Sequence, residues 1–207
     1  MKVSEIFHSI QGEGKDIGLP TTFVRTSGCN LRCEWCDTKY AWEGGKEIKV
    51  ERIKKKLEEI GCQRICITGG EPLLQDDVYE LIDLIEDRYK VSVETNGSID
   101  VEKLVGRDVR VSMDYKVLSS NMYDEMLDRN LDFLREKDQL KFVILDKEDY
   151  EFSRSILENY DLNCEIIFQA VDNENLKDLA GWVMEDGLNV RVLPQLHKVI
   201  WGDEKGV

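Results

Sequence analysis

Proline is scarce in this chain of 207 residues, with three in all, at positions 20, 72 and 194. No Pro/Ser-rich linker, low-complexity tract or internal repeat interrupts the sequence, so residues 1–207 read as a single domain. Long apolar runs are missing too. Nothing approaches the ~20 apolar residues of a membrane-spanning helix. The N-terminal Met1-Lys2-Val3-Ser4-Glu5-Ile6 lacks the apolar region of a secretory signal. The cytosol is the expected compartment, and no membrane partner is expected. Basic excess is also absent. Lys and Arg number 28 against 42 Asp and Glu, a net charge of −14. That balance counts against nucleic-acid backbones and anionic membranes as partners. The chain is shorter than the ~250 residues typical of a complete eight-unit βα barrel. It is still long enough to bury a core without disulfide support.

What is present is an alternating pattern. Short β-rich runs occur at Thr22–Arg25, Arg64–Thr68, Val91–Glu94, Val109–Ser112, Leu140–Ile144, Glu165–Phe168 and Val190–Leu193. Helical spacing lies between them, at Ile53/Leu57/Ile60, Val78/Leu81/Ile82/Ile85, Phe152/Ile156/Leu157/Tyr160 and Leu176/Leu179/Ala180/Val183. Residues 98–106 are too short and Gly-interrupted for a clear helix, whereas 119–136 read as helical but poorly patterned. Strands alternating with helices predict an α/β fold with a mostly parallel sheet and right-handed crossovers. Ligands in such folds sit at the carboxyl ends of the strands. The segments to watch are therefore Gly28 to Asp37, Thr68 to Pro72, Glu94 to Gly97, Asp114 to Lys116, Gln169, and Pro194 to Lys198.

Three of the six cysteines fall in one of these segments, Gly28-Cys29-Asn30-Leu31-Arg32-Cys33-Glu34-Trp35-Cys36-Asp37-Thr38. In a reducing compartment cysteines point to metal or redox chemistry, or to core thiols, before disulfides. Thiolates bind soft metals and iron–sulfur clusters. Three ligands on one short loop suit one face of a cubane cluster and leave a fourth iron open. Structural zinc is the competing reading. It needs four closed ligands, and Cys62, Cys66, Cys164, His8 or His197 would have to supply the fourth. Three unrelated buried thiols are a further alternative.

The C-x3-C-x2-C spacing, followed by Gly69-Gly70-Glu71-Pro72 at the end of a strand run, resembles the radical S-adenosylmethionine superfamily. Four further patches narrow the resemblance: Ser9-Ile10-Gln11-Gly12-Glu13-Gly14, Phe23-Val24-Arg25, Cys36-Asp37-Thr38 and Gln195-Leu196-His197-Lys198. With Glu94-Thr95-Asn96-Gly97, they are similar to the 7-carboxy-7-deazaguanine synthases, over about Glu5 to Trp201. The resemblance implies an incomplete βα barrel of about six or seven mostly parallel strands with a reduced helix set. It implies a lyase that contracts the ring of 6-carboxy-5,6,7,8-tetrahydropterin with release of ammonia. Its cofactors would be a 4Fe–4S cluster, S-adenosylmethionine and Mg2+, and its partners an external one-electron donor and a second copy in a homodimer. A glycyl-radical activase carrying a similar cluster motif is the alternative enzyme, and a zinc-stabilised binding module the non-enzymatic one.

Position by position, the resemblance assigns Cys29, Cys33 and Cys36 to the cluster and Thr38 to Mg2+. Trp35, Cys36, Asp37, Gly70, Glu94, Ser112 and Lys116 fall on the cofactor side. Ile10, Gln11, Gly12, Arg25, Thr68 and His197 fall on the substrate side. Ser112-Met113-Asp114-Tyr115-Lys116 departs from the Ser-Pro-Lys run of many members. Blander readings stand beside these. Arg25 pairs with a neighbouring Glu, Lys198 is solvated, Thr68 is a strand residue and Thr38 a turn former. Cys62, Cys66, Cys164, Trp42, Trp182 and Trp201 read as packing residues. Arg25, Lys116, His197 and Lys198 are the positive or protonatable groups near predicted strand ends, and a guanidinium grips a carboxylate bidentately.

Overall fold

The computed structural model describes residues 1–202, 204, 206 and 207. Nine strands form one sheet in the order β3-β1-β2-β4-β5-β6-β7-β8-β9. Strand β1 (Lys2–Ile10) is antiparallel to β2 (Pro20–Thr26) and to β3 (Lys46–Glu47). All remaining neighbours pair in parallel: β2, β4 (Arg64–Gly69), β5 (Lys90–Thr95), β6 (Val109–Asp114), β7 (Gln139–Ile144), β8 (Glu165–Ala170) and β9 (Arg191–Leu193). Each parallel strand coincides with one of the β-rich runs, with Val190 alone falling outside β9. The sheet does not close: β3 and β9 are its edges. Strand β1 was not read from the sequence, because its partly exposed, polar-interrupted residues carry no apolar run.

Periodicity placed the main helices. In α1 (Val50–Ile60), Ile53 and Leu57 are fully buried, and Gly61 ends the helix at φ 75° with its N–H on the Leu57 carbonyl. In α2 (Asp77–Ile85), Val78, Leu81, Ile82 and Ile85 all face the core. Each such side chain adds about 1.5–3 kcal/mol by leaving water. Asp146 caps α3 (Lys147–Asn159) by accepting the Asp149 N–H at 3.0 Å. The buried face of α3 carries Tyr150 and Ser153, with Phe152, Ile156 and Leu157 half-buried beside it. Leu179 and Val183 seat α4 (Leu176–Asp186), and a short α5 (Leu196–Trp201) follows β9.

Residues 119–136 depart from the helical expectation. They form 3-10 turns at Leu118–Ser120, Tyr123–Glu125 and Asp128–Phe133. Asn121 takes a left-handed φ of 58°. The Ser120 hydroxyl bonds the Val117 carbonyl, and Asn130 bonds the backbone of residues 97, 99 and 101. Side chains that satisfy nearby backbone offer the chain an alternative to helix.

Candidate active site

Strand β2 runs straight into the cysteine loop. Gly28, at φ 105°, turns the chain, and its N–H reaches the Ala41 carbonyl at 2.8 Å, so the loop leaves and returns over one point. Beneath it passes the turn after β4. Glu71 N–H bonds the Gly28 carbonyl at 2.7 Å, and a Cβ on Gly70 would lie 2.1 Å from that carbonyl oxygen. Only glycine fits this crossing. The outer side of the loop is held by the turns after β6. Glu34 N–H bonds the Ser120 carbonyl at 3.2 Å, and Trp35 Nε1 donates to Ser119 Oγ at 3.0 Å. Arg32 Nη1 donates to the Cys29 and Leu31 carbonyls, both at 2.8 Å.

Cys29, Cys33 and Cys36 line one cavity of about 460 Å3 at the carboxyl ends of the parallel strands. All six cysteines are free thiols. Burial pushes the Cys29 and Cys33 thiols up, with the Lys116 ammonium opposing it. Among the described residues no three His, Cys, Asp or Glu side chains converge on one point to hold a single metal ion. The zinc reading therefore finds no closed ligand set there. Three soft sulfurs on one loop are donors of the type that iron–sulfur clusters take. Asp37 and Thr38 supply hard oxygens at the end of the same loop, of the kind Mg2+ accepts. Thr38 Oγ1 donates to Asp37 Oδ1 at 2.6 Å.

Glu71 organises the inner wall. It is fully buried and accepts the Leu73 N–H (3.0 Å), the Asn96 N–H (2.6 Å) and the Thr95 hydroxyl (2.9 Å). Burial raises its carboxyl to about 7 against those three donors. Asn96 in turn places Nδ2 3.8 Å from Cys29 Sγ.

The opposite side of the cavity is polar. Glu94 accepts from Gln11 Nε2 and from Thr68 Oγ1, both at 3.1 Å. Arg25 bonds Glu5 at 2.8 Å, so the pairing reading is realised, and its guanidinium also lies 5.6 Å from the Phe7 ring centroid and 5.9 Å from that of Tyr40. Ile10, Gly12 and His197 complete this side. A Cβ on Gly12 would meet the His197 ring at 2.3 Å, so the glycine makes room for the imidazole. His197 Nε2 is 3.8 Å from Asp37 Oδ2. Burial pushes the Asp37 carboxyl up, but His197, Thr38 and Arg25 hold it well below the carboxylate range. His197 is raised: burial lowers it, and Asp37 and Glu13 more than offset that.

Of the sequence-derived residues, Ser112 stands apart. It does not line the cavity; its hydroxyl accepts from Gln139 Nε2 at 2.6 Å, and Gln139 Oε1 accepts the Lys15 N–H. Ser112 thereby supports the Gly12–Gly14 turn from behind. Lys116 does face the cavity, 5.4 Å over the Trp35 ring. Glu94, placed on the cofactor side by resemblance, is bonded to Gln11 and Thr68 of the substrate side. Glu13 and Lys141 line the cavity and were given no role from sequence. The available signal was a lysine inside the otherwise apolar run Leu140–Ile144. In a parallel sheet covered on both faces such a residue has no route to water.

Comparison with known proteins agrees with this geometry. The profile described as the radical SAM superfamily matches residues 23–139. The chain is 43% identical to the 7-carboxy-7-deazaguanine synthase of Thermoplasma acidophilum, with 100% of both chains covered. It is 37% identical to that of Koribacter versatilis, again with both chains fully covered. The crystal structure of QueE from Escherichia coli superposes with a TM-score of 0.78 at 26% identity, covering 95% of this chain and 94% of the other. The chain therefore belongs to the radical SAM superfamily and, within it, to the 7-carboxy-7-deazaguanine synthase family.

Proposed function

We propose that this protein contracts the ring of 6-carboxy-5,6,7,8-tetrahydropterin to 7-carboxy-7-deazaguanine, releasing ammonia, in the biosynthesis of 7-deazapurines. The observation that carries this reading is a single cavity with the three-cysteine loop on one side and the Arg25–Glu94–His197 group on the other. When bound, the cluster supplies one electron to S-adenosylmethionine and so the radical that removes a hydrogen from the substrate. Ammonia is the only difference in composition between substrate and product, so no net oxidant is needed.

The protein's own residues place and shield. Cys29, Cys33 and Cys36 hold the cluster, and Thr38 with Asp37 offers oxygens to Mg2+. Trp35, Gly70 and Lys116 flank the cofactor. Gln11 and Thr68 each donate to Glu94, which fixes its carboxylate to accept from the N–H edge of a flat heterocycle. Arg25 and His197 supply positive charge for the substrate carboxylate. Backbone at Ile10 to Gly12 lies along the same wall. Buried walls keep water from a reactive radical.

An external one-electron donor and a homodimer belong to the same reading. The open sheet leaves edge strands to cover, and α5 exposes Val199 and Ile200. No helix among the described residues is long and apolar enough to cross a membrane. We place the enzyme in the cytoplasm.

Anaerobic reconstitution with iron and sulfide, reduction with a chemical one-electron donor, then addition of S-adenosylmethionine, Mg2+ and the carboxytetrahydropterin, is expected to yield 7-carboxy-7-deazaguanine. Cofactor cleavage without that product would refute the substrate assignment. Light scattering is expected to give the mass of two chains, and a monomer would refute the dimer.

A further inference from the structure

Four charged side chains cross the cavity with alternating sign: Glu13, Lys141, Asp114 and Lys116. Lys141 Nζ bonds Glu13 Oε2 and lies 3.0 Å from Asp114 Oδ1. Asp114 Oδ2 lies 3.1 Å from Lys116 Nζ. The two lysine side chains are 5% and 9% exposed, so neither reaches bulk water. The chain of charges has two distinct ends. At one, Lys116 sits over Trp35 of the cysteine loop. At the other, Glu13 Oε1 accepts from Gln195 Nε2 at 2.9 Å, and the neighbouring Gly12 carbonyl accepts the Leu196 N–H at 2.9 Å. His197, Gly12 and Gln11 stand at that end.

We infer that Lys141 is a positioning residue that couples the two halves of the cavity, so that cofactor binding on the Lys116 side strengthens substrate binding on the Glu13 side. The inference rests on the functional reading above. Beside the hydrogen-bonded Gln139, strand β7 otherwise buries Leu140, Phe142, Val143 and Ile144. Packing there calls for no ammonium, and an uncompensated one is costly to bury. Lys141 is the one member bonded to carboxylates from both halves. Charges that share a buried network do not respond independently. A ligand that draws Lys116 or Asp114 changes the hold of Lys141 on Glu13, and linkage makes that effect reciprocal. Glu13 also fixes Gln195, so the effect reaches the segment that carries His197.

The test is calorimetric, on the anaerobic cluster-loaded protein. The affinity for S-adenosylmethionine is measured with and without the carboxytetrahydropterin, and the ratio of the two is compared across variants. In the wild type the pterin is expected to tighten cofactor binding. In Lys141→Met and Glu13→Gln that enhancement should fall by about tenfold, within the usual span of site-to-site coupling. Iron content and the cluster's absorption spectrum should stay unchanged, and Lys141→Arg should restore part of the coupling. During turnover, the uncoupled variants should release more 5′-deoxyadenosine per product formed. Should Lys141→Met fail to fold, Glu13→Gln is read instead, because it removes the carboxylate that joins Lys141 to Gln195 and leaves Lys141 on Asp114. A wild-type ratio of one, or equal ratios in wild type and Glu13→Gln, overturns the inference. A wild type that binds both ligands and shows coupling but forms no product overturns the functional reading and leaves the coupling standing.

Discussion

Two kinds of crossover connect the parallel strands. Between β4 and β5, and between β7 and β8, the chain passes through α2 and α3. Between β5 and β6, and between β6 and β7, 3-10 turns take the place of a helix. The helical crossover α2 buries an apolar stripe, Val78, Leu81, Ile82 and Ile85. The turn crossovers bury apolar side chains too, among them Val101, Leu104, Val117, Leu131 and Leu134, and add buried polar ones: Ser120, Asn130 and Asp138. These polar side chains bond backbone groups of the turns and of the neighbouring strand. Asp138, for instance, accepts the Val111 and Arg135 N–H groups at 2.8 and 2.9 Å. Freed from helical geometry, residues 119–122 reach across to the cysteine loop. The α2 crossover serves the sheet; a turn crossover serves both core and site, and its backbone is held by a few side-chain hydrogen bonds.

The largest separation between the two should come from Ile82→Ala. A cavity in the α2 packing costs about 2–5 kcal/mol. Urea unfolding should show that loss, while iron content and substrate affinity of the folded protein stay as in the wild type. In the turn crossover, Asn130→Ala removes the side-chain partner of the Val101 N–H and of the Gly97 and Ile99 carbonyls, of which Gly97 keeps the Leu127 N–H. The expected loss is about 1–3 kcal/mol, this time with reduced retention of iron on desalting. An unchanged iron content would break the distinction drawn here.

Glu71→Gln tests the junction of the two regions. The amide brings an N–H2 group against one of three donors, for a loss of about 1–3 kcal/mol at neutral pH. It should also change the pH profile. The Glu71 carboxyl is raised from 4.5 to about 7 by burial. Its contribution to stability is therefore complete below the unfolded value and is lost as pH rises through the folded one. Wild-type urea midpoints should fall over that window, and the slope should flatten in the variant. The smallest effect belongs to Ser119→Ala, which removes the acceptor of the Trp35 indole and one donor to Asp149, whose carboxylate keeps the Ser119 and Leu145 N–H groups. Stability should drop by about 0.5–1.5 kcal/mol, with a change in Trp35 fluorescence. A larger loss of stability than in Asn130→Ala would reverse the order.

How far the sequence reaches depends on what each residue type signals. The parallel strands were legible because buried β-branched runs have few other uses, and α1, α2 and α4 because their apolar positions recur at helical spacing. The turn crossovers were not, since Leu127, Leu131 and Leu134 keep helical spacing while Asn121 and Asn130 hold the backbone elsewhere. The cysteine loop, Gly70 and the Gly12–Gly14 turn were readable as motifs. Lys141 carried a weaker signal, a lysine within an apolar run, because a strand lysine ordinarily faces water; its burial between Glu13 and Asp114 shows that this one does not. Ser112 ends its β-rich run in the sequence, yet in the structure it lies inside β6 with its hydroxyl on Gln139.

Glu13 and Gln195 touch across 182 positions of sequence, and Gly12 accommodates the ring of His197. A ribosome makes Glu13 and the cysteine loop long before Gln195 and His197. The substrate wall is therefore complete only once residues 195–197 have emerged and returned to the Gly12–Glu13 turn.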